Sequence, residues 1–180
     1  LEPGYAYVRI AQFRLNTGEE LEDELRELYA EHGELKGVVL DLRNNPGGVL
    51  QASVRVVDAF IEDGSIVSTK GRLGGNDMTF SASLATIAPD VPLAVLVNNG
   101  SASASEIVAG ALQDHGRAVV MGTQSFGKGS VQTVLPLDDT RAIKLTTSIY
   151  YTPSGRSIQA QGITPDIIVD DAFVTRRSRS

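Results

Sequence analysis

The sequence predicts a single α/β domain in which helices pack against a largely parallel β-sheet. Short apolar segments typical of buried strands alternate with longer segments of helical periodicity along the 180-residue chain, and such alternation implies right-handed crossovers between parallel strands. A chain of this length can bury one hydrophobic core and is too short for two ordinary domains. Its content of 42% hydrophobic and 21% charged residues is typical of globular proteins. We therefore expect one core over residues 1–170 and a basic, frayed tail over 171–180.

The order of the predicted elements supports this architecture. Helical spacing of leucines and a glycine stop predict a helix over residues 17–32. An unbroken apolar run within residues 36–42 is typical of a strand that is covered on both faces. The remaining predicted strands are 5–13, 93–97, 118–121, 131–135 and 141–151, and the remaining predicted helices are 50–60 and 104–115.

The net charge of −6 is concentrated in one segment. Residues 19–34 hold eight acidic side chains against one arginine, and we interpret them as the solvated face of a helix rather than as a binding surface. No basic stripe interleaved with aromatic residues is present, which argues against nucleic acid as a partner. Cysteine is absent and only two histidines occur, so we expect neither thiol catalysis nor a metal centre, and no cofactor.

The sequence contains no recognisable membrane span or signal peptide. No apolar run reaches the roughly 20 residues that a spanning helix needs, and no charged start leads into a short apolar stretch. The chain begins at Leu1 rather than at a methionine. We therefore expect it to be a fragment or a processed form of a longer protein.

Three unusual loops each follow a predicted strand, at residues 44–48, 98–103 and 122–129. Loops after parallel strands meet at the carboxyl edge of a sheet, where ligands usually bind, so we expect these three to converge. The third loop partly fits a phosphate-binding motif. However, Gly129 stands where a hydroxyl should hold magnesium, and the residues that follow favour a strand over a helix. A nucleotide site is therefore disfavoured.

The second loop places three hydroxyl groups between a buried strand and a helix. Ser103 and Glu106 have the spacing of a capping box, so Ser103 can be interpreted as a structural N-cap. The alternative is a nucleophile at a strand-to-helix turn, where the helix N-terminus stabilises developing negative charge. Composition does not choose among Ser101, Ser103 and Ser105.

A nucleophilic serine needs a base, and Lys128 is the candidate. His32 and His115 each precede a glycine at a predicted helix end, where an imidazole more often binds the last carbonyl groups. The predicted crossover brings Ser103 and Lys128 to the same edge of the sheet. An exposed lysine has a pKa near ~10.4, so we expect burial without a counter-ion to lower the pKa of Lys128. Gln132 is either an uncharged support for this amine or an ordinary strand residue.

Four segments together resemble the carboxy-terminal processing peptidases, also called tail-specific proteases. The resemblance extends over about residues 4–169, and the segments stand in the order of that family's motifs. They are DLRNNPGG at 41–48, NGSASASE at 99–106, GTQSFGKGSVQ at 122–132 and YYTPSGRSI at 150–158. The resemblance implies the α/β fold of the Clp protease and crotonase groups and a serine endopeptidase that cleaves protein substrates near their C-termini.

The resemblance also implies a role for each candidate residue. Ser103 matches the family's nucleophile, Lys128 matches its general base, and Gln132 matches the glutamine that supports this base. The amides implied for the oxyanion site are those of Ala104 and of either Gly47 or Gly48.

Partners and location follow from the resemblance alone. It implies protein or peptide substrates with flexible C-termini and a location in the periplasm or otherwise outside the cytoplasm. An adaptor protein and membrane-associated substrates are compatible with it, and the oligomeric state is not indicated. The family's PDZ domain is not recognisable in this sequence. The alternative function is a non-catalytic, protease-like module that binds apolar ligands or partner chains.

Overall fold

A computed structural model of the protein describes residues 2–71, 77–84, 86–138 and 140–169. The basic tail predicted over 171–180 lies outside the described residues. In chain order the elements are β1 (Tyr5–Arg9), α1 (Thr17–His32), β2 (Gly37–Asp41), α2 (Leu50–Asp58), β3 (Ser65–Gly71), β4 (Met78–Ser81), β5 (Leu93–Val97), α3 (Ala104–Asp114), β6 (Val119–Gly122), β7 (Ser130–Pro136), β8 (Ala142–Tyr151) and β9 (Ile167–Ile168).

A five-stranded parallel sheet forms the centre of the fold, with the strand order β1-β2-β5-β6-β9. Strands β2 and β5 are flanked by other strands and contribute mainly buried residues, which agrees with the apolar runs in their sequences. Helix α2 packs against both α1 and α3, and all three helices share one hydrophobic core with the sheet. The predicted α/β fold with helices on a parallel sheet is therefore confirmed.

A second sheet is antiparallel and has the strand order β4-β3-β8-β7. The sequence predicted β7 and β8, but not the strands β3 and β4 or their assembly into a separate sheet. Strand β3 mixes serine, threonine and lysine with apolar residues. Its pairing with β8 joins residues about eighty positions apart, and local periodicity carries no information about such a pairing.

Helix α3 lies inside the core, and this placement fixes the start of the helix. Its residues 104–112 are all buried, which is typical of a helix that other elements surround on every side. Gly110 allows this close packing, because a Cβ atom there would lie 2.8 Å from Thr152 Cγ2 and 2.9 Å from Ile163 Cδ1. The residue that precedes α3 is therefore held by a rigid element.

No helix within the described ranges has both the length and the apolar character needed to cross a membrane.

Candidate functional site

The three unusual loops converge at the carboxyl edge of the parallel sheet, as expected for loops that follow parallel strands. The N–H of Ala102 in the second loop donates to the carbonyl of Asn45 in the first, at 3.0 Å. The N–H of Phe126 in the third loop donates to the carbonyl of Ser101 in the second, also at 3.0 Å. The second loop thus lies between the other two and is hydrogen-bonded to both.

Ser103 has an unusual backbone conformation at the point where α3 begins. Its φ of +56° and ψ of −112° make it one of three non-glycine residues with positive φ in the part of the chain that the structure describes. Such a conformation costs about 1–3 kcal/mol and persists only where the surroundings enforce it, which is common at active sites. Ser103 is also the N-cap of α3 and forms a capping box with Glu106. The structural and the functional interpretations of this serine are therefore compatible.

Burial separates the three serines that composition could not distinguish. Ser101 and Ser105 are fully buried, and their hydroxyls donate to the carbonyls of Leu42 at 2.8 Å and Asn45 at 3.0 Å. Ser103 is only partly buried. Ser101 and Ser105 tie the second loop to the first, and Ser103 is the serine that can meet a ligand.

Glu106 joins the start of α3 to the glycine-rich third loop. Its carboxylate is fully buried and accepts four hydrogen bonds. Its oxygen Oε2 binds the backbone N–H groups of Ser103 at 2.8 Å and Lys128 at 2.9 Å, so one atom holds these two segments against each other. Its oxygen Oε1 binds the Ser125 hydroxyl and the Gly127 N–H, both at 2.6 Å. The sequence indicated only the cap, because the other donors are about twenty residues away.

The side chain of Lys128 is exposed, so the expectation that it is buried is wrong for this chain. Gln132 is also exposed and lies on β7, paired with Thr146 of β8. Among the described residues, no hydrogen bond joins the Lys128 amine to the hydroxyl of Ser103 or to the amide of Gln132.

The third loop explains why Lys128 is exposed. Burial alternates along residues 125–129, so that Gly127 and Gly129 are buried while Phe126 and Lys128 are exposed. The buried positions need glycine, because a Cβ atom on Gly129 would lie 2.2 Å from the backbone nitrogen of Gln159. Phe126 is 69% exposed, and no described residue covers its side chain or that of Lys128.

The first loop supplies backbone N–H groups beside the start of α3. A Cβ atom on Gly47, whose φ is +101°, would lie 2.7 Å from the carbonyl oxygen of Ala102 and 3.0 Å from the backbone nitrogen of Ala104. The N–H of Gly47 already donates to Asn45 Oδ1 at 2.9 Å. Within the described ranges, the N–H groups of Gly48 and Ala104 have no protein acceptor.

The two histidines lie away from this edge of the sheet. His115 caps the opposite end of α3, and its ring donates from Nε2 to the carbonyl of Ser65 at 2.7 Å rather than to the last carbonyls of its own helix. His32 is exposed at the end of α1. In the described residues, no group of three or more acidic or histidine side chains is arranged to hold a metal ion.

The buried side chain of Asp41, at the end of β2, is hydrogen-bonded to the exposed side chains of Tyr7 and Arg43. Its carboxylate accepts from the Tyr7 hydroxyl at 2.5 Å and from Arg43 Nε and Nη2 at 2.9 and 2.7 Å. Burial raises the pKa of Asp41, but the hydrogen bonds from Arg43 and Tyr7 outweigh burial and lower this pKa to about 2. The same contact raises the pKa of the Tyr7 hydroxyl.

We expect Asp41→Asn to remove a stabilisation that depends on pH. Because folding lowers the pKa of Asp41 from 3.8 to about 2, the carboxylate stabilises the folded protein fully above about pH 4 and loses this effect as pH falls towards 2. The free energy of unfolding of Asp41→Asn should therefore lie roughly 2 kcal/mol below the wild-type value at pH 6, and this gap should close near pH 2. Urea titrations from pH 2 to 7 measure it, with Asp23→Asn, an exposed aspartate of α1, as control. A gap of equal size at pH 2 and pH 6 would contradict the prediction.

Sequence comparison links the chain to known proteases. Residues 4–169 match the sequence model of peptidase family S41. The carboxy-terminal-processing protease of Bartonella bacilliformis is 53% identical over 172 residues, a match that covers 94% of this chain and 40% of that protein. The carboxyl-terminal-processing protease of Synechocystis is 41% identical over 169 residues, covering 94% of this chain and 39% of that protein. The chain therefore spans about 40% of the length of these relatives.

Structural comparison gives the same result. The photosystem II D1 C-terminal processing protease superposes with a TM-score of 0.84 at 40% sequence identity, over 91% of this chain and 42% of that one. The tricorn protease superposes with a TM-score of 0.57 at 18% identity, over 93% of this chain and 15% of that one, which is a likeness of fold alone.

Proposed function

The chain belongs to peptidase family S41, and from this premise we propose that it is the core of a serine endopeptidase that cleaves protein substrates near their C-termini. The observation that carries the proposal is the strained backbone of Ser103 at the start of a buried helix. Glu106 supports it, because this carboxylate binds the backbone of Ser103 and of Lys128 through one oxygen.

In the proposed reaction, the Ser103 hydroxyl attacks the carbonyl carbon of the scissile peptide bond. The Lys128 amine accepts the hydroxyl proton and returns it to the departing amine, while Gln132 orients Lys128. A water molecule then releases the acyl group from Ser103 by the same route.

Two backbone N–H groups are proposed to donate hydrogen bonds to the negatively charged oxygen of the tetrahedral intermediate. Ala104 supplies the first, because it follows the nucleophile and begins α3. Gly48 is favoured over Gly47 for the second, because the N–H of Gly47 is already bound to Asn45. Both assigned N–H groups have no protein acceptor among the described residues.

The exposed lysine requires a further step before it can act as a base. A general base must be uncharged, and burial favours the uncharged form of an amine. We propose that the substrate, or a further part of the protein, covers the exposed side chains of Phe126 and Lys128. The support for this step is that both side chains face outward, and that the relatives are more than twice as long as this chain.

A second candidate function is a protease-like module that binds apolar ligands or partner chains without cleaving them. One observation favours it: within the described residues, no hydrogen bond joins the Lys128 amine to Ser103. A site without this contact in any state would lack its base.

Location and partners are proposed from the relatives. Relatives named C-terminal processing proteases occur in bacteria and, in Tetradesmus obliquus, under a chloroplastic name. We propose a location outside the cytoplasm and substrates that are proteins with flexible C-termini. An adaptor protein and membrane-associated substrates remain predictions.

Labelling with a fluorophosphonate probe tests the catalytic proposal against the binding module. We expect one adduct, on Ser103, in the full-length protein, because only an activated serine reacts with this electrophile. Ser105→Ala should keep the adduct, since the buried Ser105 hydroxyl is bound to Asn45, and Ser103→Ala should remove it. Mass spectrometry of the labelled peptides locates the adduct. A folded full-length protein that stays unlabelled, or is labelled elsewhere, would favour the binding module.

A further inference from the structure

A polar cavity of about 400 Å³ lies at the carboxyl ends of β1, β2 and β5, and the proposed reaction does not use it. All of its lining residues are charged or carry an amide. They are Arg9, Asp41, Arg43, Asn44, Asn98 and Asn99. A volume of this size is within the range of small-molecule sites.

The charge that faces this cavity is positive. The side chain of Asp41 is 2% exposed, and its oxygens are occupied by Tyr7 and Arg43. Arg43 is 47% exposed, and Arg9 is exposed as well. Within the described part of the chain, the Arg9 side chain forms no hydrogen bond and no ion pair. An anion is therefore the ligand that the cavity favours.

The guanidinium of Arg43 is held in place before any ligand binds. Its Nε and Nη2 donate to the buried Asp41 carboxylate, so its remaining N–H groups have a fixed direction at little further entropic cost. Arg9 is in register with Asp41, so the two arginines come from the adjacent ends of β1 and β2. Two arginines with free N–H groups suit the planar oxygens of a carboxylate.

The walls of the cavity belong to the loops that surround Ser103. Asn44 and Asn98 bind each other, with the Asn44 N–H donating to Asn98 Oδ1 at 2.9 Å and Asn98 Nδ2 donating to Asn44 Oδ1 at 3.0 Å. Asn98 lies in the loop that leads to Ser103, and Asn44 lies in the loop of Gly47. A Cβ atom on Gly47 would lie 2.8 Å from Ser103 Cβ. The cavity and the nucleophile therefore share the same two loops.

We propose that this cavity is a carboxylate subsite, in which Arg9 and Arg43 bind a carboxylate of the peptide substrate. The inference rests on the proposed function, since it takes the ligand of this edge to be a peptide. The carboxylate comes either from the C-terminus of the substrate or from an acidic side chain, and both present the same group to the two arginines. A substrate anchored here is held beside Ser103 by its own negative charge.

Peptide binding, rather than cleavage, tests the carboxylate subsite. The chain carrying Ser103→Ala is titrated with three fluorescent hexapeptides of one apolar sequence, and anisotropy gives the dissociation constants. The first has a free C-terminal carboxylate, the second is amidated, and the third is amidated and carries one glutamate. We expect the first or the third peptide to bind about ten-fold more tightly than the second. The better of the two identifies the source of the carboxylate.

Substitutions then assign this preference to the cavity. Arg9→Ala should reduce it to less than about two-fold. Arg14→Ala, which removes an exposed arginine outside the cavity, should leave it intact. Circular dichroism confirms that both variants are folded. Equal binding of all three peptides, no binding at millimolar concentration, or a preference that survives Arg9→Ala would overturn the proposal.

The result is separable from that of the labelling experiment. A preference that depends on Arg9, in a protein whose Ser103 does not react with the fluorophosphonate probe, would overturn the proposed catalysis and retain the subsite. A reactive Ser103 without such a preference would overturn the subsite alone.

Discussion

Replacing Ser103 by alanine, Lys128 by methionine, or both together is expected to reduce peptide-bond hydrolysis by the same factor, roughly 10⁴-fold or more. In the proposed mechanism the nucleophile and the base act as one unit, so removing the second group after the first should cause no further loss of rate. Initial rates of cleavage of an unfolded protein substrate by the full-length enzyme measure the effect. The residual rate of all three variants should come from binding and from the oxyanion site alone.

The neighbouring serine provides the control for this experiment. Ser105→Ala removes a buried hydroxyl that binds Asn45, so it should lower the free energy of unfolding by about 1 kcal/mol and keep most of the activity. Two outcomes would contradict the proposed pairing of Ser103 with Lys128. One is a double variant far slower than either single variant, and the other is Lys128→Met with a normal rate.

Replacing Glu106 by leucine is expected to lower the free energy of unfolding by about 3–5 kcal/mol and to abolish activity. Leucine has a similar volume but accepts no hydrogen bond, so the four groups that donate to this carboxylate lose a buried acceptor. Each such loss costs about 1–3 kcal/mol, and the costs do not add fully, because the loop can relax. Equilibrium unfolding in urea measures the change.

Two further variants separate the carboxylate from its surroundings. Glu106→Gln keeps one acceptor oxygen but turns an NH₂ group towards N–H donors. Its free energy of unfolding should therefore lie between that of the wild type and that of the leucine variant. Glu31→Leu, at an exposed position of α1, should change the free energy of unfolding by less than about 0.5 kcal/mol. A Glu106→Leu protein within about 1 kcal/mol of wild type would show that the third loop does not depend on this carboxylate.

The centre of the parallel sheet was predictable because β2 and β5 are mainly buried, whereas the short edge strand β9, whose two residues are exposed, was not predicted. Strands β2 and β5 consist of short apolar runs, and the acidic helix α1 shows helical spacing of leucines, so each element carries its own signal. The antiparallel sheet was not predictable in the same way. Strand β3 is stabilised by pairing with β4 and β8. The residues of these partner strands are not part of the β3 sequence, so its local pattern does not predict the strand.

The candidate site shows a similar division between local and distant information. The family resemblance indicated Ser103 and Lys128, and in the structure Ser103 differs from Ser101 and Ser105 in its partial exposure and its positive φ. The proposed role as a base led us to expect that Lys128 is buried, yet burial alternates along the third loop and leaves its side chain exposed. Glu106 was interpreted as a helix cap, because its role in holding the third loop depends on donors that are distant in the sequence.

The placement of α3 in the core has a consequence for how such a site can be regulated. Residues 104–112 are enclosed on all sides, and Glu106 fixes the main chain of residue 128 to the same helix. Displacing α3 would disrupt the core, and displacing the main chain of residue 128 would break its hydrogen bond to the buried Glu106 carboxylate. Active and inactive forms can then differ in little more than the torsion angles of one lysine side chain, which interconvert rapidly where that side chain is exposed. Control of this kind would act on the proposed base and leave the proposed nucleophile in position.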